Sequence, residues 1–262
     1  MKGIGRELQE LFRYREFLLN LVSNELKLRY RNSALGFLWA ILNPLFYLLI
    51  LAVVFSKIIK FEIEHYTIFL LSGLTSWMMI QQTVTIATAS IVNNQGMIKR
   101  IYVPKMAFPL SNVLARYIDH LILTLILFVF MILYHIRFTW YLLLVPLILL
   151  MHFFFSLGLS LVAAVVNIKI RDIQHIVAII FQALFYVTPI IYSTEALPEK
   201  YRPFFILNPF YYFVESFRFP VYYSSFPPIK IFLVALFLAM FSFAAGFYIF
   251  YKKEKYFVFY LS

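Results

Sequence analysis

Charged side chains in this chain are gathered into short clusters, and long uncharged stretches run between them. There are 25 uncharged residues between Arg31 and Lys57, 34 between Glu64 and Lys99, and 31 between Arg137 and Lys169. A further 22 lie between Asp172 and Glu195, and 21 between Lys230 and Lys252. An apolar helix needs about 20 residues to cross a bilayer, and an ionised group at the bilayer centre is costly. The clusters therefore mark span boundaries. The stretches predict helices over Asn32–Ser56, roughly Ile68–Val92, Asn112–Tyr134, and within the last three gaps; only Asn112–Tyr134 carries charge, at Arg116 and Asp119. The expected fold is an all-α integral membrane protein with six transmembrane helices. With 63% hydrophobic and 13% charged residues, the chain cannot be wrapped into a water-facing globule, which runs near 45–50% and about 25%.

The basic residues set an expected orientation. Of the 23 Lys and Arg, 15 fall on one side: seven before the first span, three around Lys99, then Lys169, Arg171 and three in the tail. Positive charge accumulates on the cytoplasmic side, so both termini are expected there. The net charge of +11 is then matched to an anionic membrane surface rather than to nucleic acid. The first 34 residues hold seven basic residues and no apolar core, which predicts no cleavable leader. Residues 1–31 repeat Ile4, Leu8, Leu11, Leu18, Val22 and Leu26 at helical spacing, with Lys2, Arg6 and Arg13 on another face. That pattern suits an amphipathic helix in the cytoplasmic interface; a helix packed on a soluble partner is the alternative. Residues 32–262 are expected to form one membrane domain. Within it the outer segment 193–228 contains Pro198, Pro203, Pro209, Pro220, Pro227 and Pro228, and short re-entrant helices fit it better than a solvated loop.

Several chemistries are excluded. Cysteine is absent, which removes disulfides, thiolate nucleophiles and Cys-ligated metals. No glycine begins a G-x-x-x-x-G-K-[ST] phosphate loop and no histidine pair has H-E-x-x-H spacing. Gly158-Leu159-Ser160 lacks the second glycine of a serine nucleophile elbow. No metal site and no catalytic residue are expected. Arg116, Asp119 and His120 form the one ionisable cluster inside a predicted helix, read as an i,i+3 ion pair snorkelling near the cytoplasmic end. Asp172 and His175 stand at the start of another helix, where a carboxylate suits the helix dipole.

Polar residues inside the spans fall in stripes. Gln81, Thr85 and Thr88 share one face; so do Gln182, Phe185 and Pro189; Trp39, Asn43, Phe46 and Tyr47 share a third. Polar groups in hydrocarbon need partners. The stripes either line a water-filled path or glue helices together.

Three blocks carry a family resemblance. Leu28-Arg29-Tyr30-Arg31-Asn32-Ser33-Ala34-Leu35-Gly36, then Trp39, Leu42 and Asn43-Pro44-Leu45, form the first. Arg171-Asp172-Ile173 and Thr188-Pro189-Ile190-Ile191-Tyr192 form the second. The third is Leu197-Pro198, Leu207-Asn208-Pro209-Phe210 and Glu215-Ser216-Phe217-Arg218. In this order they resemble the permeases of ABC transporters that export polysaccharides, such as O-antigen, capsule or teichoic acid. The resemblance implies a homodimeric pore and two copies of a separate cytoplasmic ATPase. ATP and Mg are then held by that partner, and this chain carries no cofactor. It implies a bacterial inner-membrane subunit, not an enzyme, that moves a glycan on a lipid pyrophosphate outward. A permease for drugs or small lipids, a membrane enzyme acting on polyprenyl glycolipids and a non-transporting assembly subunit are the alternatives.

On that basis residues take expected roles. Gln95, Lys99, Arg100 and Tyr102, on a short helix between Asn93 and Pro109, would couple to the ATPase, the alternative being a plain basic loop. Arg29 and Arg31 would meet the pyrophosphate, since guanidinium forks suit phosphate oxygens, or else only anchor topology. Trp39, Asn43, Phe46, Tyr47, Gln81, Gln182, Phe185 and Tyr186 would line the substrate channel, rings packing on sugar C–H faces. Asn208, Pro209, Glu215 and Arg218 would belong to an outer gate, with Glu215 alternatively only satisfying Arg218.

Overall fold

The computed structural model describes residues 9–30, 35–36, 38–55, 63–194 and 198–261. Regular structure among these residues is helical throughout. The elements are α1 (Arg15–Tyr30), α2 (Leu38–Val53), α3 (Tyr66–Thr88), the short α4 (Gln95–Arg100), α5 (Ala107–Leu133), α6 (Val145–Lys169), α7 (Ile173–Val187), α8 (Pro209–Val221) and α9 (Ile229–Lys253). Three stretches of described helix are long and apolar enough to cross a membrane: Ala107–Leu133, Trp140–Lys169 and Ile229–Tyr256. Leu42–Leu51 and Ile173–Val187 are shorter apolar helices.

Two of the differences from the expected spans involve a proline. α5 begins at Ala107 rather than Asn112. Pro109 falls in its first turn, where backbone N–H groups have no intrahelical partner, so its missing N–H loses nothing. α7 stops at Val187, and Thr188 is already extended with φ −98° and ψ 136°. Thr188 precedes Pro189, whose ring crowds an α conformation in the residue before it. Pro189 therefore does not share a helix face with Gln182 and Phe185. At about 1.5 Å per residue, 15 residues span roughly 22 Å.

At the centre stands α6, which packs against α9, α3, α5 and α8. Its crossing with α9 is built on small residues. A Cβ placed on Gly158 would overlap the Ser242 backbone, and one on Gly246 would overlap the Gly158 backbone. Ser242 Oγ donates to the Phe155 carbonyl at 3.0 Å across this contact. Helices in hydrocarbon gain little from hydrophobic exclusion, so close backbone approach supplies the packing. Here Gly158, which the sequence set in a weak nucleophile context, has a structural task.

α3 is largely enclosed, and several of its buried hydroxyls have hydrogen-bond partners on it or on α6. Thr75 and Thr88 donate to the carbonyls of Leu71 and Val84 at 2.8 and 2.7 Å. Ser76 Oγ lies 2.7 Å from His152 Nε2, and His152 Nδ1 lies 2.8 Å from the Ile148 carbonyl. A carbonyl only accepts, so Nδ1 carries the proton and Ser76 donates to Nε2. Thr88 thus spends its hydroxyl on its own helix rather than on a path.

Two cores result. One gathers α3, α5, α6, α7, α8 and α9 around Trp77, Phe155 and Phe213. The other joins Ile98, Phe108, Leu161, Phe250 and Phe257, with Leu11, Phe17 and Leu21 packed on it. Phe17 of α1 meets Phe108 of α5 edge-to-face at 6.0 Å. Lys105 Nζ donates to the Glu254 carbonyl at 2.9 Å. α1, the 89–106 connection and the last helical turns therefore share one end of the bundle.

Candidate functional site

Along α2, Trp39, Asn43 and Tyr47 recur every four residues and lie one above another on one face. Two adjoining clefts open beside that stripe. The first, about 450 Å³, is lined by Trp39, Asn43 and Pro44 of α2, Met78, Gln82 and Ile86 of α3, and Arg116, Asp119, His120 and Leu123 of α5. The second, about 240 Å³, is lined by Tyr47, by Trp77, Met78 and Gln81 of α3, and by Gln182, Phe185 and Tyr186 of α7. Met78 belongs to both, so the clefts are neighbours along α3. Each helix contributes at i, i+3 or i+4, the spacing that holds a continuous face.

The back wall of the second cleft is aromatic. Trp77 is buried, and its ring meets Phe181, Phe185 and Phe210 at centroid distances of 5.8, 6.0 and 5.5 Å. Its indole Nε1 donates to Gln81 Oε1 at 2.9 Å. An indole nitrogen can only donate, so the Gln81 carbonyl faces Trp77 and its NH₂ is left for the cleft. Tyr47 packs toward Phe185 at 6.4 Å, and Phe185 toward Tyr186 at 5.4 Å. Tyr186 is two-thirds exposed while Phe185 is buried, so Phe185 anchors and Tyr186 presents its ring.

Among the described residues lining these two clefts, charge is confined to the first. Arg116 Nη1 donates to Asp119 Oδ2 at 3.4 Å, with both side chains largely covered, and His120 is buried beside them. Sequence reasoning treated this trio as a snorkelling pair; the structure faces it toward Asn43 and Trp39. Gln82 was also missed, although it lies i+4 from Met78 and i−4 from Ile86. Of the expected channel residues, Phe46 lies among the lining residues of neither cleft and is exposed. Among the described residues no three His, Asp or Glu side chains converge as a metal site.

The other expected residues lie elsewhere. Gln95, Lys99 and Arg100 are on α4, whose Ile98 is buried in the second core. Tyr102 follows in an extended stretch, exposed, its hydroxyl 3.3 Å from Glu10 Oε2. Exposed Met97, Ile101 and Tyr102 thus flank two cations that suit the negative end of the helix dipole. Arg31 lies outside the described residues, and Arg29 is placed by its backbone alone.

Asn208, Pro209, Glu215 and Arg218 come together on α8. Asn208 caps it, its Oδ1 accepting from Phe210 N at 3.0 Å and its Nδ2 donating to Thr188 Oγ1 at 2.9 Å. Pro209 takes the first helical position, where proline is pre-organised. Arg218 is fully buried. It donates from Nη1 to Glu215 Oε1 at 2.5 Å and from Nη2 to the Ile190 carbonyl at 3.1 Å, and stacks 3.9 Å from the Phe69 ring centroid. Gly73 makes room for it: a Cβ there would meet Nη2 at 2.6 Å.

Comparison with known proteins gives a consistent picture. Residues 16–222 match the sequence pattern of a family described as ABC-2 type transporter. An O-antigen export system permease protein RfbA of Klebsiella pneumoniae is 30% identical over 207 residues, 78% of this chain and 79% of its own. A Myxococcus xanthus protein of the same description is 30% identical over 195 residues, 74% of this chain and 75% of its own. The polysialic acid transport protein KpsM of Escherichia coli is 28% identical over 214 residues, 76% of this chain and 78% of its own.

Proposed function

The chain belongs to the ABC-2 type transporter family, transport permeases rather than enzymes, and on that premise we propose that it exports a polysaccharide carried on a lipid pyrophosphate. The observation that supports this substrate class is the α2 stripe, whose Trp39 and Asn43 face Gln82 across one cleft and whose Tyr47 faces Gln81, Gln182 and Tyr186 across the next. Rings accept the apolar face of a pyranose. Amides exchange hydrogen bonds with its hydroxyls, and the described residues of the second cleft carry no charge that would hold the chain in place.

In this reading the protein is a multi-pass subunit of the bacterial inner membrane with both termini cytoplasmic. α2, α3, α5, α6, α7 and α9 cross the membrane, two copies enclose the pore, and the connection after α7 with α8 re-enters from outside. The extended stretch from Thr188 and its proline-rich continuation lengthen the short α7 toward the outer face. Two copies of an ATPase subunit bind ATP and Mg and dock on α4, where Lys99, Arg100, Gln95 and Tyr102 transmit its movement. Arg29 and Arg31 meet the pyrophosphate at the interface. The segment from Asn208 to Arg218 seals the outer mouth, and hydrophobic constriction closes it by dewetting.

The test is depletion of this chain in its native host, followed by measurement of lipid-linked glycan on each face of the inner membrane. Accumulation on the cytoplasmic face with loss from the cell surface supports the reading. Unchanged surface glycan overturns it.

A further inference from the structure

The first cleft contains a feature that a sliding channel does not need. Three of its residues, Arg116, Asp119 and His120, are ionisable and sit well inside an otherwise apolar 27-residue helix. Ionisable groups inside a membrane helix are expensive and mark a function by default. They line a cleft of about 450 Å³, within the roughly 300–1,000 Å³ of small-ligand sites.

The composition of that cleft selects a ligand chemistry. Arg116 supplies donors and Asp119 supplies acceptors, so the pair is neutral overall. Arg116 and Asp119 meet at 3.4 Å on the cleft wall, so adjacent hydroxyls of one sugar can reach both. A phosphate brought here would meet the Asp119 carboxylate, a like charge in a poorly screened place. A vicinal diol meets no such conflict. One hydroxyl donates to Asp119 while its neighbour accepts from Arg116, and Asn43 and Gln82 offer amide donors and acceptors beside them. Trp39, 38% exposed on the rim, presents a ring face to the apolar side of the same sugar.

We propose that the cleft formed by Trp39, Asn43, Gln82, Arg116, Asp119 and His120 docks one uncharged sugar ring of the transported glycan, its adjacent hydroxyls bridging Arg116 and Asp119. This deepens the export reading and rests on it. Met78 links the cleft to the second one, so a ring released here moves along the Trp39–Asn43–Tyr47 face toward Gln81 and Gln182. The charged cleft positions and the neutral cleft conducts.

The experiment uses the permease with its ATPase partner in lipid nanodiscs and two probes in equilibrium dialysis. One probe is a labelled, lipid-free oligosaccharide released from the native host's surface glycan by mild acid. The other is inorganic pyrophosphate. Asp119→Asn and Arg116→Gln are each expected to weaken oligosaccharide binding about tenfold or more, as for a lost charge-assisted hydrogen bond. Trp39→Ala, on the rim, is expected to weaken it several-fold and serves if the charge variants fail to assemble. Asp119→Asn is expected to leave pyrophosphate binding unchanged. Oligosaccharide affinity unaltered in all three variants overturns the proposal and returns Arg116 and Asp119 to a structural ion pair. Tighter pyrophosphate binding by Asp119→Asn also overturns it, because the cleft then reads phosphate. Either result, together with export that still fails on depletion, removes this subsite and leaves the permease reading intact.

Discussion

Breaking the buried pair on α8 should cost more than removing it. Arg218 and Glu215 have side-chain exposures of 0% and 7%. Arg218→Met leaves the Glu215 carboxylate in a place water does not reach, and stranding one member of a buried pair costs about 3–5 kcal/mol. It also takes the donor from the Ile190 carbonyl, which adds about 1–3 kcal/mol for an unmet buried acceptor, and loses the stack on Phe69. Glu215→Leu strands the guanidinium instead, with a loss near the same 3–5 kcal/mol. In the double variant neither charge remains, and the residual cost is that of the carbonyl, about 1–3 kcal/mol. Melting of the detergent-purified complex, followed by fluorescence-detected size exclusion, reads these differences. At roughly 2–4 °C per kcal/mol for a chain this long, Arg218→Met should melt about 10–30 °C lower and Glu215→Leu about 5–20 °C lower. The double variant should recover more than half of that. A double variant melting below both singles would refute the reasoning, since the pair would then stabilise by its own attraction rather than through its mutual need.

Three other perturbations follow from the same geometry. Gly158→Ala forces a methyl into the Ser242 backbone and should destabilise by at least about 1–3 kcal/mol, read as lost folded yield, with Gly96→Ala, which meets nothing within 4 Å, as the neutral control. Ser76→Ala removes the donor to His152 Nε2 and should cost about 1–3 kcal/mol in the same melting assay, whereas Ser76→Thr, which keeps the hydroxyl, should recover much of it. Replacing both Lys99 and Arg100 by Glu should leave the permease folded and block glycan export while the ATPase still hydrolyses ATP in the assembled complex; unchanged export would remove α4 from coupling.

What the sequence made legible follows from where free energy acts locally. The extents of α6 and α9 are bracketed by charges, because the cost of burying an ion is paid residue by residue and so is written in the sequence. The face of α2 was legible for a similar reason: Trp39, Asn43 and Tyr47 stand out against Leu and Ile at a period of four. The Gln182, Phe185 and Tyr186 face of α7 was legible too, but its end was not, since an uncharged run continues past Thr188 and only the steric clash of Pro189 stops the helix. Gly158 and Gly73 were opaque because their meaning lies in a partner, Ser242 in one case and Arg218 in the other. Arg116 and Asp119 satisfied a local i,i+3 explanation so well that nothing along α5 alone pointed to Asn43 and Trp39 across the cleft.

The distribution of burial gives these parts different tasks. α3, α6 and α8 are enclosed and cross-tied by Trp77, His152 and Arg218, whereas among described side chains α7 buries only Phe181 and Phe185 and α2 only Leu48. Segments with few buried contacts open at lower free energy than the core they lean on. Both clefts lie beside α3, one against α2 and α5 and the other against α2 and α7, so in the proposed pore their width would be set largely by the two helices that bury least. Passage of a polymer imposes a second condition: each binding step must be favourable enough to admit a unit and weak enough to release it. On the export reading proposed above, exposed rings and amides along α2 and α7 would meet that condition, each contact a sugar loses being replaced by a similar one a turn further on. A full ion pair in the second cleft would not; in the docking role proposed for it, the pair at one end of the stripe would hold a unit in register instead of letting it slide.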